Sequence, residues 1–227
     1  MRKLLSLLIG LLFTLTSYAQ FNFTAGYTYG RTSSGSSNDI IQQLNDNNSS
    51  LTNFERAKEI NGLHGAHFGV QARFDVVALS LSWNSKVQVS DFSGDDSTNM
   101  NIFTELFYRV SSTSLGLEFF PIEKISFGGT IDLNRLRIRS ENNVDSDRFT
   151  IMRDSGLSSH FFVSFNIVGN DILSISLQPY IHIPWTNFDL TELESELDTG
   201  VGLTDFEDGF MNYGIRLIFR NGQQNNY

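Results

Sequence analysis

The chain has no cysteine and three prolines in 227 residues. Without cysteine there is no disulfide, no thiol nucleophile and no thiolate metal site. Scarce proline leaves long strands uninterrupted, because few positions lack the backbone N–H that a sheet ladder needs. An excess of positive charge is also missing. Lys and Arg number 16 against 25 Asp and Glu, a net charge of −9, which excludes nucleic acid as a partner class. Beyond the first 20 residues, no stretch is apolar over the ~20 positions that a spanning helix requires. What is abundant is phenylalanine, at 20 residues.

The N-terminus reads "MRKLLSLLIGLLFTLTSYAQ". Arg2 and Lys3 precede an apolar run from Leu4 to Leu15, and Ser17-Tyr18-Ala19 closes it with small residues at −3 and −1. This is the pattern of a Sec-type signal peptide over residues 1–19. A mature domain over 20–227 follows, with 14 basic residues once Arg2 and Lys3 are set aside, against 25 acidic ones.

The mature sequence alternates. In "ALSLSWNSKVQVS", Leu79, Leu81, Trp83, Val87 and Val89 share one parity, broken by Ser85. Ser80, Ser82, Asn84, Lys86 and Gln88 share the other. A period of two is a strand with one apolar and one polar face. Seven more segments repeat it, beginning near Phe21, Ala66, Asn101, Ile125, His160, Leu173 and Met211. The parity of the fourth strand is confused in its first half, where "RVSSTS" suggests a bulge that flips the faces. Connections at 75–77, at "PIEK" and at "VGND" are short. Those at 31–63, 91–100, 140–156 and 186–209 are long. The strict alternation of short and long predicts an up-and-down barrel with all tight turns at one end.

Which face points inward decides the class of protein. A secreted lipocalin-like binder would turn the apolar face in, toward a ligand cavity. Three features favour the opposite. The polar face is mostly Ser, Thr, Asn, Gln and Gly rather than the Lys and Glu of a solvated surface. The apolar positions run for about nine to eleven residues, the length that crosses hydrocarbon at a tilt. Aromatics gather at both strand ends: Phe21, Phe23, Phe74, Phe119 and Phe120 at the turn end, and Tyr27, Tyr29, Phe161, Trp185 and Phe210 at the loop end. These features, with the aromatic final strand "MNYGIRLIFRN", resemble the small OmpA/OmpX-like outer-membrane β-barrels. The predicted class is therefore all-β: an eight-stranded antiparallel transmembrane barrel of the outer membrane, with short periplasmic turns and long extracellular loops. The resemblance implies contact with outer-membrane lipid and lipopolysaccharide, insertion by the barrel-assembly machinery and no cofactor.

Site candidates follow from the facing. Arg73, Asp75, Lys86, Glu118, Asp132, Arg216 and Arg220 point into the lumen, where charges must pair. They predict a plugged polar lumen, with Glu118 or Asp132 as the partner of Lys86. Ser82→Arg, on the lumen face, is expected to be milder than Leu81→Arg on the lipid face. Ser158, His160 and His182 on adjacent strands are the residues for a lipid-modifying esterase. A narrow pore is the other alternative to a non-enzymatic envelope-structural or surface-interaction role. His64 and His67 are read as structural. Loop 186–209 holds eight acids and no base. Asp189, Glu192, Glu194, Glu196 and Asp205 are its candidates for a divalent cation, but their spacing matches no calcium loop. The acidic loops also suit an extracellular or envelope protein partner. Loop 31–63 carries two segments of helical apolar spacing, Ile40, Ile41 and Leu44, then Leu51, Phe54, Ala57 and Ile60. Asp39 and Thr52 or Asn53 are the expected caps, and the segments are expected to fold as a lid.

Overall fold

The computed structural model describes residues 20–98, 100–122, 124–142, 148–169, 172–197 and 206–221. The signal-peptide reading of residues 1–19 falls outside them. Eight long strands close into a ring: β1 (Gln20–Ser33), β2 (Gly62–Phe74), β3 (Val77–Asp95), β4 (Asn101–Ile122), β5 (Ile125–Asn142), β6 (Phe149–Gly169), β7 (Leu173–Pro184) and β8 (Met211–Asn221). Every neighbour pairs antiparallel, and β1 pairs with β8 to leave no edge. Closure satisfies the backbone ladder, which the interior of a bilayer demands.

The apolar parity points out. Leu81, Leu115 and Ile131 occupy one cross-strand row, and Leu115 is 64% exposed. Phe21, Phe23, Tyr27, Tyr29, Phe161 and Trp185 are exposed on the outer wall. Phe120 and Phe210 depart from the expected girdles. Phe120 turns into the barrel floor, and Phe210 packs on Phe188 above the barrel, ring centroids 5.8 Å apart. An apolar surface this extensive has no place in water and matches a hydrocarbon slab.

No bulge flips the faces of β4. Its register with β3 runs without a shift from Asn101 to Phe119. The environment changes instead. Inside, Ser112 and Asn134 give way in the next inward-facing row to Val110 and Leu136. Outside, Leu133 gives way to Arg135. Both faces invert at the same height. Below it the wall meets lipid and encloses polar groups. Above it the wall meets water and encloses an apolar core, as a soluble protein does. Ser85, the break in the alternation of β3, lies in that boundary row with Ser111, Arg135 and Ser155, and its Oγ accepts from Arg109 Nε at 2.9 Å.

Within the predicted long loops at 91–100 and 140–156, residues 91–95, 140–142 and 149–156 are strand. β3 to β6 simply continue past the membrane. The core they enclose is completed by helix α1 (Gly35–Asn47) and the segment after it. Ile40, Ile41, Leu44, Ala57, Ile60 and Leu63 pack with Leu106, Tyr108, Leu136, Ile138 and Met152. The expected second helix does not form. Residues Thr52–Glu55 add a short strand to β3 instead. The chain beyond is held by side-chain amides that replace a helical ladder. Asn45 bonds both the N–H and C=O of Ala57 (2.7 and 3.0 Å), and Asn38 does the same for Ile60 (2.6 and 3.3 Å). Gln88 accepts from Gly62 N–H and donates to the Glu59 carbonyl. Asp39 lies inside α1, whose N-cap is Ser34. The lid is thus a folded cap.

Candidate functional site: a sealed lumen under a folded cap

The lumen is filled in layers. At the floor, Phe120 lies under two guanidinium groups, Arg73 (4.2 Å from its centroid) and Arg220 (5.9 Å). Above it, Glu118 is the hub of an ion-pair network. It accepts from Arg220 Nη2 at 2.9 Å, from Gln71 Nε2 at 2.6 Å and from the Ser126 hydroxyl. At the next level Arg216 Nη2 donates to His160 Nε2 (3.1 Å), and Arg216 Nε donates to Thr28 (3.2 Å). That bond makes Nε2 the acceptor, so Nδ1 of His160 carries the proton and faces Asp132 at 4.0 Å. The His160 ring stacks on Tyr180, with centroids 4.5 Å apart. Gly30 makes room for Tyr180, because a Cβ there would lie 2.3 Å from its hydroxyl. His67, bonded to Asn84 and Thr24, completes the level. Between Gln71, Glu118, His67, Arg216 and Arg220 lies a cavity of about 30 Å³, room for little more than a water molecule.

The predicted lumen charges divide. Glu118, Asp132, Lys86, Arg216 and Arg220 are buried inside. Arg73 is half-buried at the periplasmic mouth, and Asp75 is not in the lumen. Asp75 is exposed in the β2–β3 turn at φ 53°, and its carbonyl accepts from Arg73 Nε at 2.9 Å. The tight two-residue turn takes this residue out of the strand's alternation. Lys86 also departs from expectation. Its ammonium donates to Asn212 Oδ1 at 2.9 Å and lies 5.3 Å from the Tyr180 ring, rather than pairing with Glu118 or Asp132. It stands at the ceiling of the polar lumen, in the row of Val110 and Leu136, whereas those carboxylates sit lower and are taken by nearer donors.

Ser158, His160 and His182 converge on the same part of the wall, but no Ser–His hydrogen bond links them. The Ser158 hydroxyl donates to Asp132 Oδ2 at 3.4 Å and accepts from Asn134 Nδ2 at 2.7 Å. His182 Nδ1 accepts from Asn212 at 3.1 Å. The serine is completely buried.

In the cap, the acidic candidates among the described residues do not converge. Asp189 Oδ1 accepts from the Thr191 N–H and hydroxyl (2.9 and 2.6 Å) at the start of helix α2 (Thr191–Leu197). These bonds hold its carboxyl below the ordinary range. Glu192, Glu194 and Glu196 lie along α2, and Asp205 is outside the described residues. No group of three potential ligands gathers among the described residues. Asp208 has a fastening role that the sequence did not reveal. Its carboxylate accepts from Ser37 N–H (3.2 Å) in the first turn of α1 and from Phe210 N–H (3.1 Å). Burial raises its carboxyl above the ordinary value, against the pull of those donors. Asp208→Ala leaves both N–H groups unpaired and is expected to loosen the cap by about 1–3 kcal/mol. Faster amide exchange over residues 35–47, with unchanged exchange in β1 and β8, is the measurable result.

No family model and no curated protein sequence matches the chain. Solved structures do. The attachment invasion locus protein Ail of Yersinia pestis, solved with the heparin analogue sucrose octasulfate, is 10% identical; the match covers 91% of this chain and 99% of that one, with a TM-score of 0.51. Neisserial surface protein A is 9% identical over 88% and 96%, at 0.44, and OprG of Pseudomonas aeruginosa 9% over 89% and 95%, at 0.43. By its ring of eight antiparallel strands, its outward apolar belt and the first of these likenesses in fold, the chain is a small eight-stranded β-barrel of the outer membrane.

Proposed function

We propose that the protein is a non-conducting, non-enzymatic barrel that displays its folded cap outside the cell, in an envelope-structural or surface-interaction role. The observation that carries this reading is the continuous plug. The Glu118–Arg220 network, the Arg216–His160–Tyr180 stack and the apolar cap core follow one another up the barrel axis. A chain meant to pass solutes has no use for three successive seals. The extramembrane parts are better ordered than loops need to be for solubility alone, since an 18-residue buried core holds them. Their outer surface is acidic along α2, where Glu192 and Glu196 are exposed, and it suits a cationic or hydrogen-bonding protein surface.

The decisive test combines conductance and contact. Planar-bilayer recording is expected to give no stable single-channel steps, and stable steps would overturn the sealed lumen. A photo-crosslinking residue at Glu192 or Glu196 on intact cells is expected to yield a discrete protein adduct. Ser158→Ala is expected to leave folding and adduct formation unchanged. Loss of a biological activity in that variant, with folding intact, would restore the esterase reading.

A further inference from the structure

The outer wall just above the lipid belt carries an arginine cluster. Arg109 on β4, Arg137 on β5 and Arg153 on β6 are direct cross-strand partners in one row. Arg135 and Arg139 flank Arg137 on the same face of β5. Like charges placed opposite one another destabilise a sheet, and here three stand abreast. None of the five forms an ion pair among the described residues. Two of them bond hydroxyls: Arg109 Nε donates to Ser85, and Arg137 Nε and Nη2 donate to Thr150 (3.3 and 3.0 Å). Those bonds orient the guanidinium groups and leave other N–H donors open. Arg135, Arg137 and Arg153 line a shallow recess of about 460 Å³ together with Ser155 and Asp154, whose carboxylate accepts from the N–H groups of Ser155 and Asp189 (2.7 and 2.8 Å).

Height selects the ligand. Leu133, 56% exposed to lipid, is the next outward residue below Arg135, only ~7 Å along the strand at ~3.4 Å per residue. A lipid whose acyl chains cover Ile131, Leu133 and Leu157 therefore holds its headgroup at the arginine row. The charge there is positive, in a chain that is otherwise strongly acidic outside. The geometry points to a binding site for the phosphate groups of an outer-leaflet glycolipid, made by Arg109, Arg135, Arg137, Arg139 and Arg153. Planar guanidinium forks suit phosphate oxygens, and two phosphates on one headgroup match a row three strands wide. Bound phosphate also relieves the repulsion that the bare row carries.

The test is native mass spectrometry of the full chain in neutral detergent. The probes are bis-phosphorylated lipid A, the same lipid without phosphates, inorganic phosphate and heparin. The phosphorylated lipid is expected to be retained in preference to the other three. The Arg109→Gln/Arg137→Gln/Arg153→Gln variant should bind it at least about tenfold more weakly, and Arg153→Gln alone about fivefold. Arg31→Gln, outward on β1 across the barrel, should leave binding unchanged. Heat-modifiable gel mobility reports folding. If the triple variant does not fold, the single variant carries the comparison. Equal retention of the dephosphorylated lipid would overturn the proposal, as would undiminished binding by the folded variants. Preferential binding of heparin or inorganic phosphate would also overturn it, by making the row a site for soluble anions.

Discussion

Glu118→Ala is expected to destabilise the barrel by about 3–5 kcal/mol, the usual loss when one partner of a buried ion pair is removed. Arg220 would keep its charge beside Arg73 and Phe120 with no carboxylate in reach. Its Nε already lacks a partner. Gln71 and Ser126, which donate to Glu118, would lose their acceptor, and water has little access to a floor closed by Phe120 and the ~30 Å³ cavity. Urea titration of the protein in lipid vesicles should show a markedly lower midpoint. Replacing both members, Glu118→Met with Arg220→Met, removes both desolvated charges together and should recover most of the loss, because an apolar pair of similar volume is often neutral or better than a buried ion pair. A single variant within 1 kcal/mol of the parent would show that the pair is dispensable.

Leu81→Arg is expected to cost about 2–4 kcal/mol, because its row, Val70–Leu81–Leu115–Ile131, lies in the middle of the apolar belt. Val89→Arg should cost no more than about 1 kcal/mol. Val89 shares the outward face and the strand but stands in the row of Phe107 and Arg139, above the boundary. The gradient between these two positions is what a bilayer imposes and water does not. Equal effects would contradict the placement of the boundary. Ser82→Arg reverses the expectation drawn from facing alone. Ser82 is buried beside a cavity of about 30 Å³ that Arg216 and Arg220 already line, so the long side chain has no room and its charge adds to two cations already present. It should be at least as damaging as Leu81→Arg. Refolding yield into vesicles of the three variants, read by heat-modifiable mobility, ranks them.

The strand count, the closure and the outward face were legible because alternation is a local signal, repeated eight times. Leu79, Leu81, Trp83, Val87 and Val89 all stand exposed on the outer wall. The confusion in β4 was a true signal with another cause. A strand of constant facing that leaves the bilayer must exchange the polarity of both faces, and a single strand does not show whether its geometry or its surroundings changed. The second helix in 51–61 failed for a related reason. Its apolar spacing is genuine, and Ala57 and Ile60 are buried. Asn38, Asn45 and Gln88, however, bond its backbone from other elements, which no local propensity can foresee.

The candidate site divides along the same line. That Lys86, Glu118, Asp132, Arg216 and Arg220 face the lumen follows from parity. Which cation meets which anion depends on strand stagger. Arg220 reaches Glu118 across 102 residues of sequence, and Lys86 finds Asn212 across 126. The arginine row was hidden for the same reason, since Arg109, Arg137 and Arg153 become neighbours only through register. By itself, the sequence determined the class of wall, because the choice of lipid or lumen for each side chain is written at every second residue. The tertiary structure alone decided the pairings, the seal and the cap. Those depend on how far each strand slides past the next and where it leaves the membrane, and no residue encodes its own height.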